Sequence, residues 1–98
     1  MATPATGGDG AGTGLRVSVI TPEATVYEGN ADQVIAPAWN GSLGILRGHA
    51  PLMALLGKGD LRVTRAGRTE RFHVQGGFLQ VVDDVVTVLS EHAETDAR

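Results

Sequence analysis

From Leu15 onward, apolar and polar residues alternate in short runs, and each run is cut off by Gly, Pro, Asn or Asp. A period of two is that of a strand with one face buried, so repeated short runs of this kind restrict the chain to an all-β sandwich or barrel. Leu15, Val17 and Val19 fall on one face with Arg16 and Ser18 on the other, and Thr21-Pro22-Glu23 stops that strand. Residues 25–28 give a short second strand, Gly29-Asn30 a turn, and residues 32–36 a third strand closed by Pro37. Residues 60–65 and 68–74 flank Ala66-Gly67 and read as a hairpin that sets Leu61 opposite Phe72 and Thr64 opposite Thr69. That register also opposes Arg62 to Arg71 and Arg65 to Arg68. Residues 78–82 and 85–89 form a last hairpin around Asp83-Asp84, with Leu79, Val81, Val86 and Val88 on one face and Phe78, Val82, Val85 and Leu89 on the other. Residues 51–56 are apolar throughout and fit either a buried strand or a short helix.

The expected fold is a small flattened β-sandwich or barrel of about eight to ten short strands over residues 15–90. At 98 residues the chain is one domain, and with no cysteine its core must hold without a disulfide. Residues 1–14, nearly all Ala, Thr, Gly and Pro, bury too little apolar surface to offset the entropy of ordering them and read as a flexible tail. They contain neither Lys, Arg nor an apolar stretch, so they do not resemble a signal or transit peptide. Residues 91–98 read as a polar, frayed end. Eight Lys and Arg against eleven Asp and Glu give a formal charge of -3, which disfavours nucleic acid and anionic lipid as partners. No apolar run approaches the roughly 20 residues of a membrane helix.

The segment Gly41-Ser42-Leu43-Gly44-Ile45-Leu46-Arg47-Gly48-His49-Ala50-Pro51-Leu52 reads as a sharply shaped connection, because glycine serves where φ is positive or another backbone comes close. The same segment resembles the signature of the epsilon subunit of F-type ATP synthases, in its N-terminal β domain. Thr21-Pro22-Glu23 with Val26-Tyr27-Glu28-Gly29, and Gly76-Gly77-Phe78-Leu79-Gln80-Val81 with Val86-Thr87-Val88-Leu89, match the same family in order and spacing. The resemblance covers roughly residues 15 to 94.

No catalytic constellation accompanies these motifs. His49, His73 and His92 fall on a loop, a strand and the tail, without the short spacings of metal ligands. Ser18, Ser42 and Ser90 lack the Gly-x-Ser-x-Gly elbow of a nucleophile, and Asp83-Asp84 suits a turn better than a carboxylate pair. The sequence therefore reads as non-catalytic, with no cofactor and no metal. The arginine-rich hairpin serves either an acidic partner or a solvated surface. Trp39, beside Asn40 and Gly41, is either an interface anchor or a cap on the end of the sandwich.

The resemblance implies a rotor subunit of a proton-translocating F-type ATP synthase that links the gamma subunit to the c-ring within the alpha, beta, gamma, delta and epsilon catalytic sector. It implies a peripheral place on the cytoplasmic face of a bacterial membrane. The loop from Asn40 to Leu46 would then meet the polar loops of the c-ring, and Trp39, Asn40, Ser42, Leu43, Arg47 and His49 are the interface candidates. Family members often carry glutamate where Asn40 and Ser42 stand. They also continue into a helical hairpin that restrains hydrolysis; the sequence shows no counterpart, so no C-terminal helical domain is expected. The alternative is a free-standing oligonucleotide-binding barrel, which the scarcity of aromatics opposes.

Overall fold

The computed structural model describes residues 14–95, and the expectation of a flexible tail falls almost wholly outside them. Ten strands form two five-stranded sheets. They are β1 (Leu15–Ile20), β2 (Thr25–Ala31), β3 (Gln33–Ala38), β4 (Gly41–Leu46), β5 (Leu52–Leu55), β6 (Lys58–Arg65), β7 (Arg68–Gln75), β8 (Phe78–Val82), β9 (Val85–Leu89) and β10 (His92–Thr95). One sheet has the order β2-β1-β9-β8-β5 and the other β10-β7-β6-β3-β4. Alternation then does what a period of two requires, sending one side of each strand into a shared core. Leu15, Val17, Val19, Leu79, Val81, Val86 and Val88 from the first sheet are buried against Val34, Ile45, Leu61, Val63, Phe72 and Val74 from the second.

Both hairpins expected from the sequence form, and that of β6 and β7 has the expected register. β6 and β7 pair Leu61 with Phe72, Thr64 with Thr69, Arg62 with Arg71 and Arg65 with Arg68. The Thr64 and Thr69 hydroxyls lie 3.0 Å apart. Ala66 and Gly67 both take positive φ, as do Asp83 and Asp84, which is the geometry that lets a two-residue turn follow the twist of its strands. β1 lies parallel to β9, a pairing between distant parts of the chain that local pattern does not announce.

Four expectations are corrected. Gly29-Asn30 is not a turn: both residues belong to β2, opposite Val17 and Arg16, and the chain reverses at Asp32 instead. Pro37 does not close β3. It pairs with Ser42, while β3 pairs with β6 only over Gln33 to Ile35, so its missing N–H falls where that ladder has ended. Residues 41–46 are an edge strand rather than a loop, with Gly44 opposite Ile35. Within the expected frayed end, residues 92–95 are ordered: β10 adds to β7, setting His92 opposite Gln75 and Glu94 opposite His73. Residues 51–56 resolve as β5 followed by a bridge from Leu56 to Ala38.

Two aspartates lock the corners where the chain passes between sheets. Asp32, between β2 and β3, donates its N–H to the Thr64 carbonyl at 2.7 Å and accepts the Ala66 N–H on Oδ2 at 2.8 Å. Asp84 accepts the Gly48 N–H on Oδ1 at 2.7 Å, tying the passage from β4 to β5 to the β8–β9 turn. Among the described residues, Ser90 is the buried polar side chain. Its hydroxyl donates to the His92 carbonyl at 2.6 Å, with the Gln75 backbone 3.3 to 3.4 Å away.

Candidate interaction surfaces

The register divides the sequence-expected interface residues between opposite ends of the sandwich. Trp39 and Asn40 form the turn of the β3–β4 hairpin, with Ser42 just inside it. Arg47, Gly48 and His49 follow the far end of β4. A six-residue strand separates the two groups by about 20 Å. Leu43 points the other way from both, packing half-buried against the core. The six candidates therefore do not lie on one continuous loop.

At the first end Trp39 is 72% exposed, although it is the chain's one tryptophan. Its N–H donates to the Leu55 carbonyl at 3.1 Å, which holds the hairpin tip beside the end of β5. Leu55 is itself 59% exposed and begins an apolar row across the outer face of the first sheet. Leu55 lies opposite Phe78, Phe78 opposite Leu89, and Leu89 opposite Ile20. Met53, Val82 and Val85 are exposed on the same strands. The sequence shows the alternation that makes this second apolar face on β8 and β9. It does not show that β1 and β5 extend it, because those pairings join distant segments.

At the other end, the His49 ring is half-buried, and its Nδ1–H donates to the Ala50 carbonyl at 2.7 Å. That bond fixes the tautomer and leaves Nε2 as the remaining polar atom of the ring. The loop is further closed by the His49 N–H to the Leu46 carbonyl at 3.2 Å.

The outer face of the second sheet is polar. Arg62 and Arg71 stand side by side there, with His73 Nδ1 3.3 Å from Asp60 Oδ1 and His92 Nε2 2.9 Å from Glu94 Oε2. These pairs are about half exposed or more, so water screens them and each adds little to stability. A shallow groove lined by Ile35, Pro37, Ser42, Gly59, Asp60 and Arg62 crosses this face. Among the described residues, no three His, Asp or Glu side chains come together to hold a metal ion. Burial raises the pKa of Tyr27, the Glu70 carboxylate adds to the rise, and Arg65 and Arg16 oppose it.

The family model for the β-sandwich domain of the ATP synthase delta/epsilon chain matches residues 14–96, the whole of the two sheets. The chain belongs to this family. The ATP synthase epsilon chain of Priestia megaterium is 47% identical over 81 residues, covering 83% of this chain and 60% of that protein. The epsilon chain of a Synechococcus species is 48% identical over 80 residues, covering 82% and 58%. The chain thus spans about 60% of the length of the curated relatives it matches. Among solved structures, a chain of the Euglena gracilis mitochondrial ATP synthase, solved with OSCP, F1 and c-ring, superposes with a TM-score of 0.80 at 21% identity. The match covers 85% of this chain and 54% of that one. A chain from the central stalk and c-ring of the Tetrahymena thermophila enzyme gives a TM-score of 0.66, also at 21% identity, over 81% and 64%. The fold of this family replaces the oligonucleotide-binding alternative, whose five-stranded barrel would not give two five-stranded sheets.

Proposed function

We propose that this chain is a non-catalytic rotor component of an F-type ATP synthase, bridging the gamma subunit and the c-ring at the periphery of a membrane-bound complex. The observation that carries the reading is the apolar row from Leu55 through Phe78 and Leu89 to Ile20, with Trp39 beside it, on a domain whose core is already complete. A continuous exposed apolar surface on so small a domain marks a partner site. The apolar face suits a lasting contact with the shaft, because burial of apolar area contributes about 25 cal/mol per Å². The hairpin tip, with polar Asn40 and Ser42, suits the polar loops of the c-ring. Asn40 and Ser42 are uncharged, so this contact rests on hydrogen bonds and on Trp39 rather than on ion pairs. Close-packed sheets supply the stiffness that torque transfer needs, since dense interiors transmit strain.

The test is affinity recovery of the tagged chain from native membranes, with mass spectrometry of the recovered proteins. Gamma, alpha, beta and c subunits are expected together. Recovery of the chain alone, or with nucleic acid, would remove it from the rotor.

A further inference from the structure

Five of the chain's eight Lys and Arg fall between Lys58 and Arg71, with only Asp60 and Glu70 against them, although the chain as a whole carries a formal charge of -3. The β6–β7 register brings two of the five together: Arg62 stands directly opposite Arg71 on the outer face of the second sheet. Like charges so opposed destabilise a ladder. Among the described residues, neither guanidinium has a carboxylate within ion-pair distance, and Asp60, two residues from Arg62, pairs with His73 at 3.3 Å instead. Beside the arginines the sheet opens. β3 leaves β6 after the Ile35–Arg62 pair, and the groove over Ile35, Pro37 and Ser42 lies there, with a volume of about 410 Å³. Gly44, opposite Ile35 on the far side of β3, adds no side chain, and a Cβ there would meet nothing within 4 Å. Across four strands one row therefore reads Gly44, Ile35, Arg62, Arg71: a gap, an apolar floor and two cations.

We infer that this row docks an extended acidic segment of a partner protein, whose carboxylate joins Arg62 and Arg71 while an apolar side chain two residues away lies on Ile35 beside Gly44. The spacing supports it. From Ile35 to the midpoint of the arginine pair is one and a half inter-strand distances, about 7 Å, and alternate side chains of an extended chain stand about 6.7 Å apart. A carboxylate between the two guanidiniums removes the repulsion that the free chain tolerates and forms charge-assisted bonds. A polyphosphate or nucleic acid fits less well, because it leaves the apolar floor unused and meets the Asp60 carboxylate in the groove lining. The site needs neither partner of the rotor reading: it lies on the other sheet from the apolar row and touches the β3–β4 hairpin tip only at Ser42.

The test titrates the whole chain with a blocked pentapeptide of serine carrying valine at its second position and glutamate at its fourth. Binding is read from NMR shifts of the backbone amides and of the arginine Nε–H groups, and Ile35, Gly44, Arg62 and Arg71 are expected to move. Replacing the peptide's glutamate by glutamine, or Arg62→Gln in the chain, should weaken binding about tenfold, the size of one charge-assisted bond partly screened by water. Gly44→Val fills the gap with a residue suited to a strand and should weaken it by a similar factor. Arg71→Gln should lose binding likewise, yet unfold at an equal or higher urea concentration, since it relieves the like-charge pair. No shift at these four residues would overturn the inference. So would affinity within about twofold of wild type for the glutamine peptide or for Arg62→Gln. A lower urea midpoint in Arg71→Gln would overturn it by making the pair structural, and tighter binding of inorganic tripolyphosphate on the same residues would overturn it in favour of a phosphate site.

Discussion

Gly77→Ala should be among the most damaging single-methyl changes in this domain. Gly77 links β7 to β8 with φ 97°, and a Cβ built on it would stand 1.9 Å from the Leu89 carbonyl oxygen, 2.9 Å from the Leu89 carbonyl carbon and 2.8 Å from Ser90 Cα. The obstacles are backbone, so no side-chain rotation relieves them. Restoring an acceptable contact needs a shift of about 1 Å between the start of β8 and the end of β9. That shift would disturb the Phe78–Leu89 pair, the bond from Leu56 N–H to the Gly77 carbonyl at 2.9 Å, and the buried Ser90 hydroxyl. The left-handed conformation costs an L-residue about 1–2 kcal/mol, and overpacking adds about 1–3 kcal/mol. The expected loss is therefore about 2–5 kcal/mol, a large part of the roughly 5–15 kcal/mol available to a small domain. Gly44→Ala is the matched control, because a Cβ there meets nothing within 4 Å. It should be neutral or stabilise slightly, by up to about 1 kcal/mol, since alanine restricts the unfolded chain more. Urea unfolding of both variants decides the matter. A loss below about 1 kcal/mol for Gly77→Ala, or equal losses for the two, would mean that the Leu89 and Ser90 backbone does not obstruct a Cβ at position 77.

Tyr27 packs edge-on against Phe72 with ring centroids 5.5 Å apart, and its hydroxyl donates to the Asn30 carbonyl at 3.3 Å. Its raised pKa favours the neutral form in the folded state, so its contribution to stability is full below the unfolded value near 10.0 and is lost as pH rises through the folded value. Tyr27→Phe should flatten stability against pH in that alkaline window, and phenolate absorbance reads the group directly because the chain has one tyrosine. Ser90→Ala should destabilise by about 1–3 kcal/mol in thermal or urea unfolding, since the backbone groups it serves are left without their partner. Trp39→Ala should leave the isolated fold nearly unchanged, because the ring is mostly exposed, yet weaken retention on the membrane sector in a wash-off assay.

The strands with strict alternation are legible in the sequence. Residues 60–74 and 78–89 form the expected hairpins with the expected partners because turn chemistry and periodicity agree there. β4 was hidden by its own composition: glycines at 41, 44 and 48 suggest a bent connection, yet Gly44 lies in a regular strand and only Gly41 and Gly48 take positive φ. β10 is not legible because its sequence is polar; pairing with β7 and the Ser90 hydroxyl order it, with Ala93 as its one side chain packed against the core. Of the interface residues, the segment was legible and its division was not. Splitting Trp39 from His49 required knowing that a strand runs between them. The contacts of Asp32 and Asp84 span more than thirty positions, and no local pattern encodes an acceptor at that range.

Two partner surfaces on one small sandwich can be probed directly, because the chain has no cysteine of its own. Single cysteines placed by Asn40→Cys at the hairpin tip and Leu55→Cys on the apolar face would each carry a short photoreactive cross-linker into the assembled complex. Asn40→Cys is expected to cross-link to the c subunit and Leu55→Cys to gamma. Cross-linking of both positions to one subunit, or of neither to the stalk, would contradict it.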